Sequence, residues 1–422
     1  MNCRCDAFAP TSDMLTADQA RDALVASVTP VTECEEVPLI KASGRVLAAN
    51  LIAARSVPPH DNSAMDGYAV FACDLLAAGA AGSGGTIRLP VTGRIKAGQV
   101  LERPARRGEA LRIFTGAPVP SGPDTIIPQE VCREENGHVT LPAISKGANF
   151  RHAGEDIATG AVVLRAGIRL QPQHIGLAAS IGLDRLAVIR PLRVALLSTG
   201  SELREPGQTA GPGAIYDSNR YVLAGLLRRL GCTVGDFGIV PDHPEKLTTI
   251  LIAAAAEHDL VMASGGVSVG EEDHVKTAVS ALGALHFWRI AIRPGRPLAF
   301  GRIGTVPFIG LPGNPVASMV TFLMFARPLL LTMAGATVRP PLAFPVLAGF
   351  DEIKRPGRRE WMRATLRRNP DGSVTALRFP FEGSGILTSM TNSDGLIDLP
   401  ESVERVVCGD IVNFLPFSEL LD

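Results

Sequence analysis

The side chains best suited to chemistry fall in a few short loops. Ser264-Gly265-Gly266-Val267-Ser268-Val269-Gly270-Glu271-Glu272-Asp273 directly follows an apolar run of strand length. Glycines there let a backbone approach a bulky ligand and turn its amides toward an anion. Three adjacent acids offer oxygen ligands to a hard cation such as Mg²⁺; the plainer use of Asp273 is to cap the helix that follows it. Ile292-Arg293-Pro294-Gly295-Arg296-Pro297 sets two guanidinium groups around a Pro-Gly turn. Arg293 and Arg296 there either clamp an oxyanion in two-pronged fashion or stand solvated on a loop. Gly310-Leu311-Pro312-Gly313-Asn314-Pro315 leads into an apolar helix, with Asn314 as N-cap, Pro315 in the first turn and Pro312 stiffening a lip where an anion is favoured.

Two further loops carry acids. Pro58 to Ala69 packs Asp61, Asn62, Ser63 and Asp66 into a Pro-rich turn, a cluster that Asx turns also explain. Ser198-Thr199-Gly200 ends an apolar run and is followed by Glu202, either a ligand group or an acid in a first helical turn. Asp242, in Asp242-His243-Pro244-Glu245, fits a capping box equally well.

Charge along the chain is uneven. Residues 274 to 350 hold Lys276, Arg289, Arg293, Arg296, Arg302, Arg327 and Arg339 and no acid at all. An acidic cluster followed by a basic stretch suggests a metal and an anionic substrate side by side, although buried elements also exclude acids.

The elements that must position these loops read as several units. A T-x-x-Q capping box at Thr16 and Gln19 opens an amphipathic helix to Val28. Residues 57–150 show short apolar runs broken by Gly, Pro and Asn-Gly, a small β domain. Residues 151–190 contain a helix over Gln173 to Ile181 and are expected to return to the first helix, so that 12–56 and 151–190 form one elongated domain. From 191 to 338, strand-length runs alternate with helices starting near Ser218, Pro244, His274 and Pro315, which predicts a three-layer α/β domain with a parallel sheet. Its ligands belong beyond the carboxyl ends of the strands. Residues 339–422 return to β signals, with a hairpin turn at Asn369-Pro370-Asp371-Gly372, and are expected to form a small β barrel.

Composition narrows the function. The 422 residues carry 41 basic and 42 acidic side chains, which argues against a generic nucleic-acid binder. With 46% apolar residues, 43 glycines and 32 prolines, the chain is globular and loop-rich rather than disordered. Seven scattered cysteines without a CxxC fit a reducing compartment and no disulfide framework; Cys3 and Cys5 fall in a polar tail. No apolar signal segment is visible, which gives the expectation of a cytoplasmic protein. Val316 to Val338 is interrupted by Arg327 and Pro328 and reads as a buried helix, not a membrane span.

Taken together, DNSAMDGYA (61–69), RIFTGAPVP (112–120), RHAGEDI (151–157), STGSEL (198–203), IYDSNR (215–220), SGGVSVGEEDHVK (264–276), RPGRP (293–297) and GLPGNPVAS (310–318) resemble, in order, the molybdopterin molybdenumtransferase family, which includes bacterial MoeA and the E domain of gephyrin. The resemblance implies a multidomain α/β enzyme of molybdenum-cofactor synthesis. Such an enzyme inserts molybdenum from molybdate into adenylylated molybdopterin and releases AMP, with Mg²⁺. It further implies an elongated homodimer whose active site lies between the α/β domain of one subunit and the N-terminal domains of the other. By motif, the catalytic positions are Asp61, Thr115, Glu202, Asp242 and Asp273, the last three as metal ligands. Substrate positions are Ser198, Thr199, Gly200, Ser264, Gly265, Gly266, Ser268, Arg293, Arg296, Pro312, Asn314 and Pro315. The family commonly has Lys at 293 and 296, so a fork replaces a point charge. A molybdopterin adenylyltransferase and apo molybdoenzymes are the partners implied; adenylylation itself and a non-catalytic scaffold are the competing functions.

Overall fold

The computed structural model describes residues 14–77, 85–241, 243–266, 274–295 and 297–421. Thr16 caps the helix Ala17–Ala26 with the reciprocal Thr16–Gln19 bonds expected of its capping box. Ala17, Ala20 and Leu24 on one helix face are buried against the α/β domain.

Cys34–Pro38 pairs antiparallel with Arg185–Ile189, and Leu51–Ile52 pairs with Val162–Leu164, so two segments far apart in sequence share the core of Val37, Leu47, Leu170 and Leu186. The chain between them forms a six-stranded sheet. In spatial order its strands are Thr125–Pro128, Gly67–Val70, Ala110–Ile113, Thr86–Ile95, His138–Pro142 and Arg133–Glu135. Asn136 and Gly137, both at positive φ, make the tight turn between the last two.

The α/β sheet runs Thr233–Val240, Arg193–Thr199, Leu260–Ser264, Val306–Leu311, Pro297–Ile303, Leu285–Arg289. Along Arg193–Thr199 the side chains alternate between two buried layers. Val194 and Leu196 face the helices Asn219–Arg229 and Pro315–Thr321, while Ala195 and Leu197 face Pro244–Glu257 and His274–Leu282. Helices cover both faces, and a strand buried on both sides has to be apolar throughout.

The sheet is mixed rather than wholly parallel. Only its first four strands run in parallel; Pro297–Ile303, whose run lies among Arg, Pro and Gly, inserts antiparallel. Two successive antiparallel pairings return Leu285–Arg289 to the direction of the parallel strands, so the Arg293 loop still leaves the carboxyl-end side.

Pro315–Thr321 continues through one π-helical turn, Phe322–Ala326, into Arg327–Met333. Among the described residues this is the one helix long and apolar enough to cross a membrane, and most of it is buried in the α/β core. The final unit is a closed ring of strands: Arg359–Arg368, Val374–Arg378, Phe344–Ala348, Ile411–Pro416 and Gly395–Leu399, which pairs back to the first. The Asn369–Gly372 turn joins the first two, closed by Gly372 donating to the Asn369 carbonyl at 3.0 Å. All five described cysteines are free thiols. Cys3 and Cys5 lie outside the described residues.

Candidate active site

The carboxyl ends of the Arg193 and Leu260 strands meet in a close-packed cradle. Ser198, Thr199 and Ser264 are buried there. Ser198 Oγ and Thr199 Oγ1 have no hydrogen-bond partner among the described residues, which is unusual for buried hydroxyls and leaves donors for a bound polar group. Gly265 has φ +83°, and a side chain on it would stand 2.5 Å from the Thr199 carbonyl. Only glycine lets the second strand's loop fold so tightly over the first.

The next loop joins from the side. Asn219 donates to Ser264 Oγ at 3.0 Å and to the Gly313 carbonyl at 2.7 Å, tying the Gly265 and Pro312 loops together. Asn219 belongs to the IYDSNR motif, yet the sequence reading assigned it no role. Its signals are that motif and its place as the first residue of the helix Asn219–Arg229. Glu202 folds back over Gly200, where an added Cβ would lie 2.8 Å from both carboxylate oxygens. It sits in a turn before Leu203–Arg204, so the helical-acid alternative does not apply.

The helix N-terminus at Pro315 differs from expectation. Asn314 occupies the N-cap position but makes no side-chain cap bond. The Val316 N–H is instead taken by the Ser384 carbonyl of the C-terminal domain at 2.9 Å, leaving less of the helix end for an anion. Pro312 is buried, and Pro315 leads the helix as expected.

Arg293 is likewise not a free cation. It donates to Glu382 at 2.5 Å and to Glu360 at 3.4 Å, both from the C-terminal domain. Burial opposes its charge, but the bond to Glu382 and the nearby Glu360 outweigh burial and raise its pKa. Glu360 is buried and also accepts from Arg358 at 2.5 Å. Buried Arg363 donates to Ser389 Oγ and to the Phe381 carbonyl, both at 3.0 Å, which holds the loop bearing Glu382. Burial, then repulsion from Arg293, lower the Arg363 pKa. Sequence reasoning missed Glu360, Arg363 and Glu382, because nothing local marks residues 67 to 89 positions downstream as partners of Arg293.

In the N-terminal β domain, Asp61 accepts from the Ala153 N–H at 2.8 Å, with His152 Nδ1 at 3.7 Å. Thr115 does not bond Asp61. Its N–H and hydroxyl both donate to Asp66 Oδ1, at 2.8 and 2.7 Å, and these bonds hold the Asp66 carboxyl below its ordinary range. Asp66, the second acid of the DNSAMDG cluster, rather than Asp61, is therefore the partner of Thr115.

Three family models tile the chain: the MoeA N-terminal region, domains I and II, over residues 15–182; a probable molybdopterin binding domain over 195–332; and the MoeA C-terminal region, domain IV, over 345–417. The chain belongs to the MoeA family. A molybdopterin molybdenumtransferase of Haemophilus influenzae is 38% identical over 97% of this chain and 100% of its own length. A molybdopterin molybdenumtransferase 2 of Mycobacterium tuberculosis is 37% identical over 88% of this chain and 92% of its own. The crystal structure of a molybdopterin biosynthesis MoeA protein from Pyrococcus horikoshii superposes with a TM-score of 0.82 at 28% identity, covering 96% of this chain and all of that one. The fold class and the enzyme class read from the sequence both stand.

Asp242, Ser268, Asp273 and Arg296 lie outside the described residues. No group of three metal-ligating side chains occurs among the described residues. Of the expected magnesium ligands, Glu202 alone is described, an exposed oxygen donor beside the cradle, as a hard cation requires.

Proposed function

We propose that this protein inserts molybdenum from molybdate into adenylylated molybdopterin, releasing AMP. The observation that carries the reading is the cradle of Ser198, Thr199, Ser264 and Gly265 at the strand ends, in a chain matched from end to end by molybdopterin molybdenumtransferases. Buried hydroxyls and backbone amides in a dry cradle bind phosphate-type oxyanions without reorganising. Glu202, with Asp242 and Asp273, would hold Mg²⁺, which when bound neutralises charge on the phosphate bridge that is cleaved. Asn219 fixes the cradle. Arg293 presents its remaining N–H groups while the buried Glu360 holds its orientation and the half-exposed Glu382 partly masks its charge.

The reading extends to a cytoplasmic homodimer, in four units bounded as the sequence suggests, with Thr115 and Asp66 of one subunit facing the α/β cradle of the other. The assay supplies adenylylated molybdopterin, Mg²⁺ and molybdate, then follows AMP release and reconstitution of an apo molybdoenzyme. Asp273→Ala is expected to abolish AMP release in a folded protein, and normal turnover by that variant would sink the magnesium assignment. AMP release without reconstitution would point to a different transfer.

A further inference from the structure

The N-terminal β domain carries a second cationic feature. Strand register sets Arg112 beside Tyr68 on one neighbouring strand and beside Arg94 on the other. The Arg112 guanidinium lies 5.0 Å from the Tyr68 ring centre and 4.9 Å from that of Phe114. Arg94 lies 4.8 Å from the same Phe114 ring. The two guanidinium groups thus share one phenyl ring and are no more than about 10 Å apart, within roughly a Debye length, so their repulsion is only partly screened.

Neither is neutralised by an ion pair among the described residues. Arg112 donates to the Gly67 carbonyl at 3.1 Å and to the Gln129 amide oxygen, both neutral acceptors. Arg94 has its ring contact alone and is exposed. Of the acids nearby, Glu134 accepts from the Tyr68 hydroxyl at 2.5 Å, and Asp66 is bonded to Thr115 and feels the Arg112 charge without forming an ion pair with it. Two guanidinium groups beside one ring, with N–H groups to spare, suit the multiple acceptor oxygens of a tetrahedral oxyanion.

We propose that Arg94 and Arg112, backed by Phe114, form a phosphate subsite that receives the phosphate end of the nucleotide-bearing substrate. The inference rests on the functional reading above, which brings this face, through the Thr115–Asp66 edge, to the cradle of the other subunit. Arg112 is the fixed half of the subsite and Arg94 the adjustable half, because the first is bonded to backbone and the second only stacks.

The test titrates AMP into the full-length protein by calorimetry and measures the KM for adenylylated molybdopterin, for wild type, Arg94→Gln and Arg112→Gln. Arg94→Gln removes an exposed side chain and keeps the fold, which thermal unfolding verifies. Loss of one charged phosphate contact should weaken AMP binding roughly tenfold and raise KM similarly with kcat nearly kept. Arg112→Gln should do at least as much. Unchanged AMP affinity and unchanged KM in Arg94→Gln would overturn the subsite even if Arg112→Gln failed to fold. Wild-type protein without turnover would sink the functional reading instead, while a loss of AMP affinity in Arg94→Gln would still support the phosphate site.

Discussion

Two cationic regions of this molecule have opposite histories. The stretch from residue 274 to 350 holds seven basic residues and no acid, and so looks electropositive along the chain. In space its Arg293 meets Glu360 and Glu382, supplied by the C-terminal barrel. The β domain carries Glu102 and Glu109 in the loop between its strands Thr86–Ile95 and Ala110–Ile113 and attracts no notice as sequence. Yet the buried Glu109 is committed to Arg103, Thr92 and the Arg106 N–H, and among the described residues neither Arg94 nor Arg112 forms an ion pair, although Asp66 feels the Arg112 charge. Charge counted along a chain is a poor guide to charge felt at a site, because Coulomb energy depends on distance in space and on burial.

The most severe way to break this contrast is to remove the buried acid of the first region. Glu360→Ala would leave Arg358 and Arg293 facing one another without their shared carboxylate. A loss of about 3–5 kcal/mol of stability is expected, read from denaturant midpoints. The half-exposed Glu382, treated the same way, should cost under about 1 kcal/mol. Equal losses would show that burial does not separate them.

The second region has its own buried acid. Burial would raise the pKa of Glu109, but bonds from Arg103, Thr92 and the Arg106 N–H overcome it and hold it at about 2. Since the folded value lies below the ordinary 4.5, its stabilisation is present above pH 4.5 and lost as pH falls toward 2. Glu109→Gln should therefore cost about 3 kcal/mol at neutral pH and little at pH 2, flattening the acid limb of the melting curve.

Smaller effects probe function. Thr115→Val removes one of the two donors to Asp66 and should slow turnover roughly ten- to a hundredfold without changing the melting temperature, while Thr115→Ser should restore most of it. Glu382→Gln uncovers Arg293 and should lower the molybdate concentration for half-maximal AMP release by about two- to fivefold. A rise in that concentration would mean that Glu382 serves to orient the guanidinium rather than to mask it.

Much of the framework was legible in the residues. The Thr16–Gln19 capping box, the four α/β helix starts, the Asn136-Gly137 and Asn369–Gly372 turns and the closing barrel all follow from short-range signals. The antiparallel Pro297–Ile303 strand was not legible, because its run follows a proline- and glycine-broken loop and its direction depends on a hairpin partner. At the site, the glycine cradle, Glu202 and Thr115 were marked by residue type and motif. Asp66 and Asn219 stand in the motifs without a role of their own, and Glu360, Arg363 and Glu382 are not marked at all, since each acts through a partner brought to it by the fold.

The sequence by itself determined the local elements, the loops that bear the chemistry and the family, because capping, turn conformation and alternation are settled within a few residues. Tertiary structure alone decided which cations are ion-paired: Arg293 with acids far downstream, Arg94 and Arg112 with none among the described residues. The physical reason is that ion pairing follows separation in space and desolvation, and chain order constrains neither.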